Sequence, residues 1–165
     1  MSIRKFVLIA IAAVAALFLL IQIVPYGRAH DNPPVVQEPN WDSPQTRELA
    51  QRACFDCHSN ETVWPWYANV APVSWVMQNH VTEGRQYLNF SQWGQGEAAG
   101  EPEEVGEVVL EGEMPTRDYL LMHPEARLTE AEKAALVDGL MATAGQSPVA
   151  GGEHGESDEH EGDDD

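Results

Sequence analysis

The sequence predicts an all-α protein with one helix set apart from the rest. Three observations carry this. Phe6 to Val24 is a run of 19 residues whose one polar side chain is Gln22. Two later segments pair a helix-start signal with helical spacing, at Ser43-Pro44 and at Thr129 with Glu132. No stretch alternates apolar and polar side chains as a half-buried strand would, and no internal repeat is visible.

The apolar run is long enough to cross roughly 30 Å of hydrocarbon as a helix. Arg4 and Lys5 precede it and no basic residue follows directly, which places the N-terminus in the cytoplasm. A cleaved signal peptide is the competing reading. The exit, Val24-Pro25-Tyr26-Gly27-Arg28, lacks a small-x-small site, so an uncleaved signal-anchor over 1–24 is expected. The remainder then lies on the periplasmic side of the inner membrane. Residues 25–42 hold Pro25, Pro33, Pro34 and Pro39 and read as an extended linker without a core of its own. Such a linker reaches about 50 Å, enough to stand a domain off the bilayer.

The folded domain is expected over 43–145. Ser43 suits an N-cap and Pro44 the first helical position. A helix from Pro44 toward Cys57 puts Leu49, Ala53 and Cys57 on one face. A second helix should start near Pro72 and end near Leu88, with Val73, Met77, His80, Val81 and Gly84 sharing a face. Gly94 to Pro102 reads as a loop and Val105 to Leu110 as a short helix. The last helix opens on the capping box Thr129/Glu132 and buries Leu136, Val137, Leu140 and Met141, with Gly145 as its stop. Residues 146–165 form an acidic tail expected to be disordered.

The 165-residue chain has a net charge of −18, and it is unevenly spread. Gly151 to Asp165 has eight carboxylates and Glu97 to Glu113 seven, neither with a basic residue. Such blocks stay solvated. They exclude nucleic-acid binding, which needs Lys and Arg against phosphates. An acidic domain suits a partner with a basic docking surface; for the tail, solubility alone is sufficient reason.

The chemistry sits in Cys54-Phe55-Asp56-Cys57-His58. This C-x-x-C-H run is the pattern that attaches a c-type haem. Two thiols on one helical turn can form thioethers at one porphyrin edge, and the adjoining imidazole can ligate the iron. The chain has no other cysteine. A redox dithiol lacks its surrounding βαβ pattern, and a zinc site would need two further ligands from elsewhere. For the sixth position Met114, in Gly112-Glu113-Met114-Pro115, is the first candidate, with His80 and Met77 behind it. His123 reads as a hydrogen-bonded loop residue, and His154 and His160 as weak cation ligands at most. Arg85 is the first candidate to pair with a haem propionate, ahead of Arg47 and Arg52. Trp64, Trp66, Tyr67, Trp75 and Trp93 are expected to pack around the porphyrin.

The order of early helix, Cys54-x-x-Cys57-His58, Met114-Pro115 loop and closing helix resembles a class I cytochrome c. More narrowly the chain resembles a bacterial haem-binding domain family with a C-x-x-C-H motif. Thr62-x-Trp64-Pro65-Trp66-Tyr67, Ala71-Pro72-Val73-Ser74-Trp75, Gly84-Arg85-x-x-Leu88-Asn89-Phe90-Ser91-x-Trp93 and Tyr119-Leu120-x-x-His123-Pro124 carry that likeness. The resemblance implies a cytochrome c-like haem domain of three to five helices behind a single transmembrane helix. The expected function is that of a monohaem electron carrier, not an enzyme, working with a membrane-associated redox partner. The alternatives are a haem-based sensor or peroxidase-like protein with an open distal position, or a redox or metal role without haem.

Overall fold

The structure, a computed structural model, describes residues 2–94 and 102–146. Seven α-helices run in order among the described residues: α1 (Ile3–Ile21), α2 (Pro44–Ala53), α3 (Phe55–His58), α4 (Val73–Tyr87), α5 (Pro102–Leu110), α6 (Arg117–Met122) and α7 (Glu130–Gln146). Short 3-10 turns lie at Trp66–Asn69 and Pro124–Ala126. Among the described residues there is no strand, only a single parallel bridge between Gln37 and Gln92. The all-α expectation holds, and four of the helices beyond α1 (α2, α4, α5 and α7) have nine residues or more.

α1 is apolar on every side and buries nothing against the domain. A helix of that kind is built for an apolar solvent, and it is long enough to cross a membrane. α2 starts where the sequence placed it, with the Ser43 hydroxyl accepting from the Thr46 N–H. It does not continue to Cys57. Cys54 leaves the helical region at φ −122°, and the chain restarts as α3. α7 carries the expected capping box: the Glu132 carboxylate accepts from the Thr129 N–H, and the Thr129 hydroxyl accepts from the Glu132 N–H.

α2 and α5 pack on α7, and α3 packs on α4. Leu49, Ala50, Phe55, Leu88, Phe90, Val109, Leu136 and Leu140 form one buried cluster. Phe55 and Phe90 stack at 5.4 Å, and Trp93 stacks on Phe90 at 5.9 Å. Within the α7 stripe Leu136 and Leu140 are buried, Val137 is half-buried and Met141 is exposed. α7 continues through Gly145 to Gln146. The loop expected from 94 to 102 and the acidic tail fall mostly outside the described residues, and His154 and His160 with them.

Residues 25–42 form no helix, in keeping with their prolines, but they turn at Tyr26–Gly27 and do not stand off the domain. Val36 and Gln37 donate to the Ser91 carbonyl, and Trp93 donates back to Gln37. Asn32 donates to the Thr62 carbonyl and Asn60 to that of Pro34. The His30 ring stacks on Trp64 at 4.7 Å. An extended proline-rich chain makes no hydrogen bonds within itself. Its backbone groups are therefore available to neighbours far away in sequence, and here the domain uses them.

Candidate functional site: an apolar cavity between the Cys-x-x-Cys-His turn and the Met114 loop

A cavity of about 480 Å³ opens between α3, α4, α5, α7 and the 114–119 segment. That size is in the range of small-molecule and cofactor sites. Cys54, Cys57, His58 and Met114 all line it. Residues 56 positions apart are thus brought to one space. Val105, Val108, Val109, Leu128, Leu136 and Leu140 supply apolar walls.

His58 is held by its backbone and its ring. Its Nδ1 lies 3.2 Å from the Leu88 carbonyl oxygen. A carbonyl only accepts, so Nδ1 carries the proton and Nε2 is left with its lone pair. An imidazole oriented this way by its far nitrogen is prepared for a metal at the near one. Burial pushes the His58 pKa down, which keeps the ring neutral and able to ligate. The Phe90 N–H donates to the His58 carbonyl at 2.8 Å. Beside it Ser59, Asn60, Asn89 and Ser91 form a buried network: Asn89 donates to Asn60 Oδ1, the Asn60 N–H to Ser91 Oγ, and the Ser91 N–H to Asn89 Oδ1. α4 crosses this turn at Gly84, where a Cβ would meet the Cys57 carbonyl oxygen at 2.5 Å. Only glycine lets the helix come that near.

Both cysteines are free thiols. Burial pushes Cys54 up to about 12, and burial with the Asp56 charge pushes Cys57 up to about 11. A redox dithiol needs the opposite shift, toward thiolate. Among the described residues no three His, Cys, Asp or Glu side chains converge as a metal-binding set.

Met114 follows a turn in which the Glu113 and Met114 N–H groups both donate to the Val108 carbonyl. This closes the end of α5 and brings the thioether to the cavity, where the residue stays 39% exposed. His80 lines the same cavity, with Nδ1 3.8 Å from the Asp118 carboxylate. Met77 does not line it. His123 lies outside it as a hydrogen-bonded residue, between the Tyr67 hydroxyl and the Glu125 carboxylate.

Arg85 is not brought to the cavity. Its Nε donates to the Ser59 carbonyl, Nη1 to that of Asp31, and Nη2 to Asn32 Oδ1 and Thr62 Oγ1. The guanidinium fork is spent fastening the 31–32 segment to the 59–62 loop, so it is a structural clamp rather than a propionate partner. Arg47 and Arg52 are likewise taken, by Glu38 and Glu132. No Lys or Arg is among the described lining residues, whereas Asp56, Glu83 and Glu104 are. The Trp residues do not ring the cavity either. Trp66 is 77% exposed, Trp64 stacks on His30, and Trp93 stacks on Phe90.

Two lining residues were not singled out by the sequence. Tyr119 donates to Asp56 Oδ2 at 2.8 Å, and Asp56 Oδ1 accepts from the Val63 N–H. The Tyr119 ring stacks on His123 at 4.1 Å. Burial first, then the Asp56 charge, raises the Tyr119 pKa far above that of a free phenol, so the hydroxyl remains a donor. Asp56 lies between the two cysteines, and Tyr119 lies five residues past Met114; their meeting is invisible without the fold.

The family model described as a haem-binding domain matches residues 16–142, more than half of the chain. The chain belongs to the haem-binding domain family. The match begins inside α1 and takes in the whole 25–42 segment, in keeping with the packing of that segment as part of the haem-binding domain. No curated protein and no solved structure matches the chain. The residues present fit a haem: an apolar cavity of suitable size, a neutral buried imidazole with its outer nitrogen anchored, two thiols at its edge and a thioether in the wall.

Proposed function

We propose that this haem-binding protein is a membrane-tethered monohaem c-type cytochrome that passes single electrons in the periplasm. Cys54 and Cys57 would hold one haem through thioethers, and His58 and Met114 would serve as its iron ligands. The observation that carries this reading is the meeting of these four side chains at one apolar cavity, with His58 Nδ1 committed to the Leu88 carbonyl.

The bound haem supplies one-electron chemistry at its iron. Leu136, Leu140 and Val109 exclude water. Leu88 and the Asn60–Asn89–Ser91 network hold the His58 ring at a fixed angle. Met114 offers a soft sulfur, which favours the reduced metal. Asp56, Glu83 and Glu104 are the charged residues lining an otherwise apolar cavity, and their sign suits a redox partner with a basic docking face. α1 keeps the domain at the inner membrane.

The full chain, produced in a host with haem-attachment machinery, should stain for haem after denaturing electrophoresis. Its reduced spectrum should be low-spin, and Met114→Ala should abolish that signature and lower the potential. An unmodified polypeptide mass would sink the covalent assignment. His80 in the same cavity is the observation that favours the second reading, a haem-based sensor or peroxidase-like protein. A Met114→Ala spectrum identical to that of the parent would favour it.

A further inference from the structure

Where α1 ends, the chain does not swing free. Gln22 Nε2 donates to the Ala71 carbonyl at 2.8 Å, and the Ala71 N–H donates back to Gln22 Oε1 at 3.0 Å. Arg28 donates to the same Gln22 oxygen. Gly27 lies so close to the start of α4 that a Cβ would meet the Ser74 carbonyl oxygen at 2.2 Å. Gln22, the one polar side chain of the apolar run, is thus the point at which helix and domain are joined. The joint sits at the 66–73 turn.

That turn has an unusual surface. Residues 62–82 contain no Asp, Glu, Lys or Arg, in a chain whose net charge is −18. Trp66 is 77% exposed and Val63 74% exposed, and Val73 and Val76 are exposed one helical turn apart. Tyr26, between the joint and Gly27, is exposed as well. Tryptophan and tyrosine are the residues enriched at the headgroup level of bilayers. An anionic membrane repels an acidic surface; residues 62–82 add no charge to be repelled.

We propose that the face formed by Val63, Trp66, Val73 and Val76 rests in the lipid headgroup layer as a second membrane contact, beside α1. The proposal rests on reading α1 as a membrane span. It gives the haem cavity a fixed height. α4 leaves the joint at Val73, and at 1.5 Å per residue His80 lies about 10 Å and Tyr87 about 21 Å along it. Both line the cavity. The site is therefore held within a short distance of the bilayer, not at the end of a long tether, and a partner must meet it at the membrane surface.

The test uses the full-length haem-loaded protein in vesicles of phosphatidylcholine and phosphatidylglycerol. p-Benzoylphenylalanine is placed at position 66, and as a control at Leu110, which is exposed at the end of α5. Illumination should give lipid adducts at 66 and at most background at 110. Gln22→Ala should reduce the adduct at 66 severalfold while the protein stays resistant to alkaline carbonate extraction. Carbonate-resistant protein with no lipid adduct at 66, or with an adduct to another protein there, overturns the proposal and leaves the tether standing. Protein released by carbonate overturns the tether and the proposal together.

Discussion

The two walls of the cavity are built differently. On the His58 side everything polar is fastened. The ring bonds to Leu88, the carbonyl accepts from Phe90, Gly84 brings α4 against the Cys57 backbone, and four buried polar side chains bond to one another or to adjoining backbone. On the Met114 side the loop is held by its own turn onto Val108, and the hydrogen bond from Tyr119 to Asp56 ties the following helix across the cavity. The methionine itself is half-exposed. Buried, satisfied networks specify one geometry, whereas exposed segments with few tertiary bonds open at lower free energy. The His58 imidazole is thus fixed by the fold, and the Met114 wall is the side that can yield.

Gly84→Ala attacks the fixed wall and should have the largest effect. A methyl group cannot be placed 2.5 Å from the Cys57 carbonyl without moving α3 or α4. A loss of about 1–3 kcal/mol is expected, read by denaturant unfolding, together with lower haem loading. Unchanged stability and loading would remove the basis for calling this wall rigid. Tyr119→Phe weakens the yielding wall. It deletes one hydrogen bond to a carboxylate, worth about 1.5–3 kcal/mol when desolvated and less here because Asp56 keeps its bond from Val63. Its signature should be faster binding of an external ligand such as imidazole or CO, measured by stopped flow. An unaltered rate would show that this bond does not restrain the Met114 side.

The smallest effect is expected at the rim of α7. The Thr129 N–H, then Arg52 and the Thr129 hydroxyl, hold Glu132 at about 2 against an ordinary 4.5. A carboxyl held low stabilises the fold above its ordinary pKa, and that contribution is lost as pH falls through the folded value. Glu132→Gln should therefore lower the melting temperature slightly near pH 6. The gap to the parent should close between about pH 4.5 and pH 2. A gap that widens on acidification would contradict the assignment. Glu132 is partly exposed to solvent, so the shift should be small.

Much of the site was legible because its signals are local. Cys54, Cys57 and His58 are adjacent, Met114 sits in a short Gly-x-Met-Pro loop, and the caps of α2 and α7 are spelled within four residues each. Arg85 shows where such reading stops. It was a sound propionate candidate by charge, yet its donors go to Ser59, Asp31, Asn32 and Thr62. Residues 25–42 failed the same way, since nothing within an extended proline-rich segment tells whether its unpaired backbone groups meet water or Ser91. The break of the first helix at Cys54 was also hidden, because the apolar spacing runs through it unbroken.

Neighbouring residues that obey a fixed period or spacing were enough to specify the helical class, the lipid-compatible first helix and the Cys-x-x-Cys-His turn. The packing of the helices was needed to show that Met114 and His80 share a cavity with His58, that Tyr119 reaches Asp56, and that Gln22 joins the first helix to Ala71. Those contacts join residues from 22 (His58 and His80) to 63 (Asp56 and Tyr119) positions apart that no local rule relates, and they depend on how the helices cross.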